Sequence, residues 1–369
     1  MPVFCLLDVT LNEEDMSAIH VGLIGYGMAA RVMHAPFLAT TPLYKVAAVM
    51  ERHKEDSKAL FPDVKVARTI EELLNSHIEL VVITTPNETH VPYAIQALEA
   101  GMHVVLEKPF TITSADAQLL IDTAAKVRRT VSVFHNRRYV ADFLTIRQIL
   151  QQQLLGNVHE YEAHYDRYRP ELKANAWREE NLPGSGILYD LGPHLIDQAL
   201  CLFGLPKHIT ADIKTQRPEA KVDDYFDIQL HYDYTKVILK AGMLVREPGA
   251  RYAIHGTAGS FVKYGEDPQE AILKTGQLPL GKDWGKEHMD DYGLLHTTVN
   301  DKEFKEKYPS LQGNFGLYYD NLYKAIREGK PLLEKAEHGF NTIRIIELAK
   351  ESSRVKATIA CEGLKDVSY

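Results

Sequence analysis

The chain has 369 residues, length enough for two domains, and 45% hydrophobic against 25% charged residues gives it the balance of an ordinary globular protein with a sizeable core. Fifty acidic residues against 42 basic ones leave a formal net charge of −8, and the basic residues form no stripe, so a nucleic-acid partner is not expected. Three cysteines (Cys5, Cys201 and Cys361) lie far apart and without metal-type spacing, which argues against a disulfide framework or a structural zinc and for a reducing, cytoplasmic setting. No apolar run approaches the roughly 20 residues of a membrane span.

Residues 1–17 read as an N-terminal extension: an apolar stretch with no basic leader, cut short by Asp8, and a second methionine, Met16, just before the first strand. Residues 19–23 then form a buried strand running into Gly25-Tyr26-Gly27-Met28-Ala29-Ala30, a G-x-G-x-x-A turn, and a helical pattern over 31–39. Gly25 permits the tight turn, Gly27 lets a diphosphate approach the backbone, and Ala30 lets the helix pack close on the strand. Free N–H groups at the helix start favour phosphate there, and Met28 and Ala29 lie in that turn. Strands follow at 44–50, 64–66, 79–84, 103–106 and 130–134. Between them come helices opened by Thr69 with Glu72 at capping-box spacing, over 88–100 with Gly101 as its stop, and from Thr113 or Ser114 to Val127. This alternation predicts a doubly wound parallel sheet, a Rossmann domain over 18–138.

The pattern changes after Arg138. Residues 140–153 read as helix and 158–169 as extended chain. Pro183-Gly184-Ser185-Gly186 leads into a helix from about Tyr189 to Phe203. Short alternating segments at 209–214, 226–232, 236–243, 252–256 and 260–264 predict an open, mainly antiparallel sheet. Residues 275–312 are polar and irregular and receive no element, while 318–328 and 336–351 read as closing helices. The second unit, 139–369, is therefore α+β.

Ligands of a doubly wound sheet lie at the carboxyl ends of its strands, where strand order reverses. Three strand-end motifs meet there: Gly25–Ala30, Thr84-Thr85-Pro86-Asn87, and Glu107-Lys108-Pro109. Glu51, ending the second strand, stands where a carboxylate accepts from the adenosine ribose of NAD, whereas the adjacent Arg52 suits the 2′-phosphate of NADP. Both cofactors stay open, as does a plain solvated loop. Lys108 at a strand end is placed to polarise a substrate oxygen or relay a proton, and Pro109 admits a cis bond where the lysine is aimed inward. In Asp190-Leu191-Gly192-Pro193-His194-Leu195-Ile196-Asp197, helical spacing puts Asp190, His194 and Asp197 on one face. No second cluster completes a metal site, so no metal is expected. His194 suits a general base, with Asp190 to orient it or hold a substrate hydroxyl. Asn136, Arg137, Arg138, Tyr165, Arg167, Tyr168 and Trp177 form a polar-aromatic set near the domain junction, of the kind that lines sugar sites or simply fills an interface.

These motifs resemble the glucose–fructose oxidoreductase/inositol dehydrogenase (Gfo/Idh/MocA) family from Ile19 to about Ile359, carried by Gly25–Ala30, Thr85-Pro86-Asn87 with His90, Glu107-Lys108-Pro109, and the Asp190/His194 helix. The stretches His135-Asn136-Arg137-Arg138, Tyr168-Arg169-Pro170, Leu188-Tyr189-Asp190-Leu191-Gly192 and Ile254-His255-Gly256 resemble its scyllo-inositol dehydrogenase branch. The resemblance implies an NAD(P)-dependent dehydrogenase of a cyclic polyol or sugar. It implies catalysis by Lys108, Asp190 and His194, with cofactor contacts at Gly25, Gly27, Met28, Ala29, Glu51, Arg52, Thr85, Pro86, Asn87, His90, Glu107, Lys108 and Asn136. Substrate contacts fall to Arg137, Tyr165, Arg167, Trp177, Asp190 and His194. It further implies a homodimer or homotetramer built on the outer face of the second sheet. That branch tends to use NADP; Arg52 matches it and Glu51 departs from it. A redox-assisted glycosidase and a dinucleotide-binding sensor without turnover are the alternatives.

Overall fold

The computed structural model describes residues 18–173 and 179–369. The extension 1–17 and Trp177 lie outside the described residues. The first sheet is built as expected, from β1 (Ile19–Ile24), β2 (Tyr44–Met50), β3 (Lys65–Ala67), β4 (Leu80–Ile83), β5 (His103–Leu106) and β6 (Val131–Val133), in the order β3-β2-β1-β4-β5-β6 and parallel throughout. Strand order reverses between β1 and β4, which opens a crevice at their carboxyl ends. The helices among these strands are α1 (Ala35–Ala39), α2 (Ile70–Leu74), α3 (His90–Glu99) and α4 (Ser114–Val127). Thr69 caps α2 by accepting from the Glu72 N–H at 3.3 Å, and Thr113 caps α4 by accepting from Asp116 at 3.1 Å. One departure concerns the helix after the glycine turn. It starts at Met28, but Ala30–His34 is π-helical before regular α-helix resumes at Ala35.

The second half opens with α5 (Ala141–Gln151), β7 (Val158–His164) and α6 (Ile187–Phe203). Then come β8 (His208–Lys214), β9 (Tyr225–His231), β10 (Lys236–Gly242), β11 (Tyr252–Gly256), β12 (Gly259–Lys263) and the short α7 (Gln269–Lys274). The chain closes with β13 (Gly293–Val299), β14 (Lys302–Tyr308), α8 (Gly316–Glu328), α9 (Ala336–Val355) and β15 (Ile359–Ala360). The sheet order is β14-β13-β12-β11-β7-β10-β9-β8-β15; only β7 and β10 pair in parallel. The hairpin β13–β14 occupies a region that sequence reading left unassigned. β14 (KEFKEKY) is almost wholly exposed, because it is an edge strand whose charges guard a free edge and erase the alternation expected of a half-buried strand. Helix α6 begins two residues earlier than expected. Asp223, from the β8–β9 connection, accepts from Leu188 N through Oδ2 at 2.7 Å and from Ile187 N through its carbonyl at 2.9 Å, so it caps the helix from a distant segment.

One apolar cluster runs through both halves, joining Ile24, Val81 and Phe110 to Tyr161, Leu195 and Ile343. Helix α9 is the brace, since it packs on α4, α6, β6 and β8. Its Gly339 lies against Phe110, two residues beyond Lys108: a methyl there would stand 2.6 Å from Phe110 Cγ and 2.8 Å from its Cβ. These atoms form the base of a buried ring and cannot swing aside. Gly339→Ala should therefore destabilise the protein by about 1–2 kcal/mol, even though alanine is otherwise favoured inside a helix. Urea unfolding measures it, and an unchanged or raised midpoint would show that the brace is looser than the contact implies.

Candidate active site

The dinucleotide corner has the geometry that its glycines predict. Gly25 sits at φ +87°, and a Cβ there would come within 2.9 Å of Thr85 Cγ2. The Thr84 hydroxyl donates to Gly25 O at 3.1 Å, so the turns after β1 and β4 are tied together. Gly27 differs: a Cβ would meet no protein atom within 4 Å. The protein's own packing does not require glycine at that point, whereas a diphosphate lying on the backbone would. Ala30 is fully buried beneath the turn and Met28 is 57% exposed above it. The residues present therefore fit a dinucleotide, which Gly25–Ala30 and the Thr85-Pro86-Asn87 loop would hold.

Several expected cofactor contacts are turned elsewhere. Glu51 is buried, and its carboxylate accepts from Asp56 N at 2.9 Å, from Ser57 N at 3.0 Å and from the Ser57 hydroxyl. It caps the following turn, while Arg52 and His53 stand exposed. His90 is buried with Nδ1 3.1 Å from Pro109 O and Nε2 3.0 Å from Thr85 O, so its ring faces backbone on both sides. Glu107 is also buried; Oε1 lies 2.9 Å from His34 Nε2 and Oε2 accepts from Lys108 N at 3.0 Å. Asn136 is buried with Nδ2 3.9 Å from the Met33 sulfur. Asn87 reaches across to the second half, donating to Gly184 O at 3.0 Å.

Two of the three expected catalytic residues, Lys108 and Asp190, are in contact. The Lys108–Pro109 peptide is cis, and Lys108 Nζ donates to Asp190 O at 2.8 Å and Asp190 Oδ1 at 3.1 Å. Arg167 Nη1 approaches the other carboxylate oxygen at 3.7 Å. These groups border a small polar cleft lined by Asn87, Lys108, Pro109, Gly184, Gly186, Tyr189 and Asp190. One turn further along α6, His194 is buried, with Nδ1 lacking a partner among the described residues. Burial, reinforced by the positive charges of Lys108 and Arg137, holds its pKa well below 6.5. Asp197 is not part of this group. It is locked by Arg138 at 2.8 and 2.6 Å and lies 3.4 Å from His135 Nε2.

Near His194 are other buried polar atoms without partners among the described residues: Nδ1 of His135, Arg137 Nε and the Tyr165 hydroxyl. Leaving such a group dry costs about 1–3 kcal/mol, so their grouping here marks a place for a polar ligand. Arg137 pairs with Glu270 and its guanidinium lies 6.0 Å from the Tyr165 ring, whose opposite neighbour, Arg251, stacks at 3.1 Å. The Tyr165 ring is 6.1 Å from that of His194. Sequence reasoning missed His135, Asp223 and His34. Only His135 had a usable signal, its position at the end of β6.

Family comparison agrees with this geometry. Residues 19–135 match the NAD-binding Rossmann fold of the Gfo/Idh/MocA oxidoreductases, and residues 147–360 match that family's C-terminal alpha/beta domain. The chain belongs to the Gfo/Idh/MocA oxidoreductase family. It is 42% identical to scyllo-inositol 2-dehydrogenase (NADP(+)) IolW of Bacillus subtilis, over 97% of this chain and 100% of that one. It is 43% identical to the uncharacterized oxidoreductase YdgJ of Escherichia coli, over 92% and 98%. Among solved structures, the putative oxidoreductase yvaA from Bacillus subtilis superposes with a TM-score of 0.90 at 42% identity, covering 93% of this chain and 98% of that one. Membership makes this chain a nicotinamide-dependent oxidoreductase acting on CH–OH groups.

Two outcomes follow from the geometry. Gly27→Ala should leave the melting temperature within about 2 °C of wild type while weakening NADPH binding at least about tenfold, or 1.4 kcal/mol; a parallel fall in both would place Gly27 in the fold rather than the cofactor seat. A His194 pKa held below its ordinary value keeps the imidazole in its basic form down through pH 6.5. The acid limb of kcat/KM for alcohol oxidation should therefore lie below pH 6.5, and a limb at or above that value would remove His194 as the base.

Proposed function

We propose that this enzyme oxidises a secondary hydroxyl of a cyclic polyol of the inositol class and uses NADP in preference to NAD. The observation that carries the reading is the junction of Lys108 Nζ, from the end of a Rossmann strand, with Asp190, from the first turn of α6, next to the buried imidazole of His194. When bound, the nicotinamide accepts the hydride released from the substrate carbon. Everything else falls to the chain's own side chains. His194 takes the hydroxyl proton on its ring nitrogen as the C–H bond breaks, and the Lys108 ammonium stabilises the negative charge growing on the oxygen. Asp190 keeps Lys108 aimed into the cleft and accepts from a neighbouring substrate hydroxyl, and Arg167 holds the far side of that carboxylate. The product is the corresponding ketone.

Two features support NADP. The Glu51 carboxylate, which would repel a 2′-phosphate, is occupied by Asp56 and Ser57, and Arg52 is exposed beside it. The cofactor printed in the name of the Bacillus relative is the same one. The polyol reading rests on the polar cleft and on that relative's substrate.

A panel of inositols and aldoses, each assayed at 340 nm with NADP+ and NAD+, tests the proposal directly. Turnover should be greatest with an inositol and NADP+. Lys108→Met should lower kcat by about three orders of magnitude with NADPH binding retained, and Arg52→Ala should raise the KM for NADP+ about tenfold with little effect on NAD+. Hydrolysis of a glycoside without net NADPH would replace this reading with redox-assisted hydrolysis. Unimpaired turnover by Lys108→Met would overturn the catalytic assignment.

A further inference from the structure

The Lys108-Pro109 turn is gripped on two sides by imidazoles that touch neither the cleft nor solvent. On one side, Glu107 binds Lys108 N through Oε2 and His34 through Oε1, and His34 Nδ1 lies 2.6 Å from the Tyr319 hydroxyl on α8. Burial opposes a charge on Glu107, but the hydrogen bond from His34 and the nearby Lys108 outweigh it, so the carboxyl is held below its ordinary pKa. An ionised carboxylate only accepts. Nε2 of His34 therefore donates to Glu107, while Nδ1 faces the Tyr319 hydroxyl. On the other side, His90 stands between Pro109 O and Thr85 O. Burial keeps its pKa below 6.5, and the ring nitrogen that carries the proton donates to its carbonyl.

What these histidines are attached to gives them meaning. His34 ends the π-helical turn that begins at Ala30, directly after the diphosphate corner. His90 starts α3, directly after the Thr85-Pro86-Asn87 loop. Each is thus rigidly joined to one of the two segments that seat the cofactor, and each ends on the turn that aims Lys108. We infer that His34, through Glu107, and His90, through Pro109, are positioning residues that hold the Lys108 ammonium in register with the bound dinucleotide. Glu107 then serves the lysine turn rather than the cofactor, and ordering of the Gly25–Ala30 corner by the cofactor is passed to Lys108 through His34. The inference rests on the catalytic role proposed for Lys108. A wide π turn fits this task, because it carries His34 to the foot of β5 while Ala30 stays close to β1.

The test compares His34→Leu, His34→Gln and Glu107→Gln with Lys108→Met. It measures kcat, NADPH affinity by fluorescence titration, and hydrogen exchange of the peptide spanning residues 107–110 with and without NADPH. His34→Leu should lower kcat about 10- to 100-fold while changing NADPH affinity less than about threefold, since a displacement of about 1 Å at a catalytic group costs that much. In wild type NADPH should slow exchange over 107–110, and in His34→Leu that protection should be lost. His34→Gln, whose amide nitrogen reaches Glu107, should recover most of kcat and the protection. Glu107→Gln should behave like His34→Leu. If His34→Leu does not fold, the comparison of His34→Gln with Glu107→Gln decides the question on the same readouts. Unchanged kcat and exchange in folded variants would overturn the inference, and so would a large loss of NADPH affinity with kcat intact, which would return Glu107 to the cofactor. Should Lys108→Met itself keep full activity, the catalytic reading of Lys108 falls first, and the exchange data still report whether the imidazoles couple the two segments.

Discussion

The structure depends on one contact between distant parts of the chain, the Lys108 ammonium against the carbonyl and carboxylate of Asp190. The two residues are 82 apart in sequence, one just past β5 and the other in the first turn of α6, and their side chains are only 15% and 21% exposed. A half-buried ammonium needs its hydrogen bonds satisfied, and a carboxylate in the first turn of a helix also gains from the helix dipole. Both requirements are met only where β5 ends within reach of where α6 begins. That is why so much of the surrounding chain fixes those two ends. Asp223 caps α6 from the β8–β9 connection, and Gly186 has to be glycine partly because a Cβ would fall 2.4 Å from the Asp223 carboxylate. Asn87 fastens the Gly184 loop to the end of β4.

Behind the cleft the chain uses charge as well as apolar packing. Arg138 bonds Asp197 on α6 and the Leu333 carbonyl, and Glu334 accepts from Tyr139 at 2.6 Å. Burial pushes Glu334 up to about 7 despite the pull of Arg138. Such a network returns little net stability for the desolvation it costs, but it admits one arrangement and breaks badly in any other. It links β6, α6 and the segment leading into α9, the three elements that set the position of His194 relative to the first sheet. Specificity of position is what an active site at a domain junction needs.

Much of this was legible in the sequence, for definite reasons. Parallel strands buried on both faces and glycines forced by φ leave strong local signals, so the first sheet and the Gly25 turn could be read in advance, whereas the grouping of Lys108 with Asp190 came from the family resemblance. Strand ends also locate residues well. They do not say which way a side chain points: Glu51, His90 and Glu107 stand near the expected corner, yet each turns its polar atoms to the protein, because a nearer donor or acceptor competes for them. His34 and Asp223 carry no local signal at all, since their partners are far away in sequence. The β13–β14 hairpin was hidden by the charges that protect its edge.

In the mechanism proposed here, the electrostatics around His194 also explain how an imidazole with a depressed pKa would remain a useful base. The groups that make His194 a weak base, Lys108 and Arg137 first among the charges, are the same cations that favour an alkoxide on the substrate. Lowering the pKa of acceptor and donor together keeps proton transfer near balance, which is the condition for efficient general-base catalysis. A strong base in that position would have to be charged or solvated, and burial permits neither. In the reverse direction the imidazolium, destabilised by its surroundings, gives its proton readily to the oxygen of a ketone. In that mechanism one histidine beside a fixed ammonium would serve oxidation and reduction alike, with no movement of either group between the two.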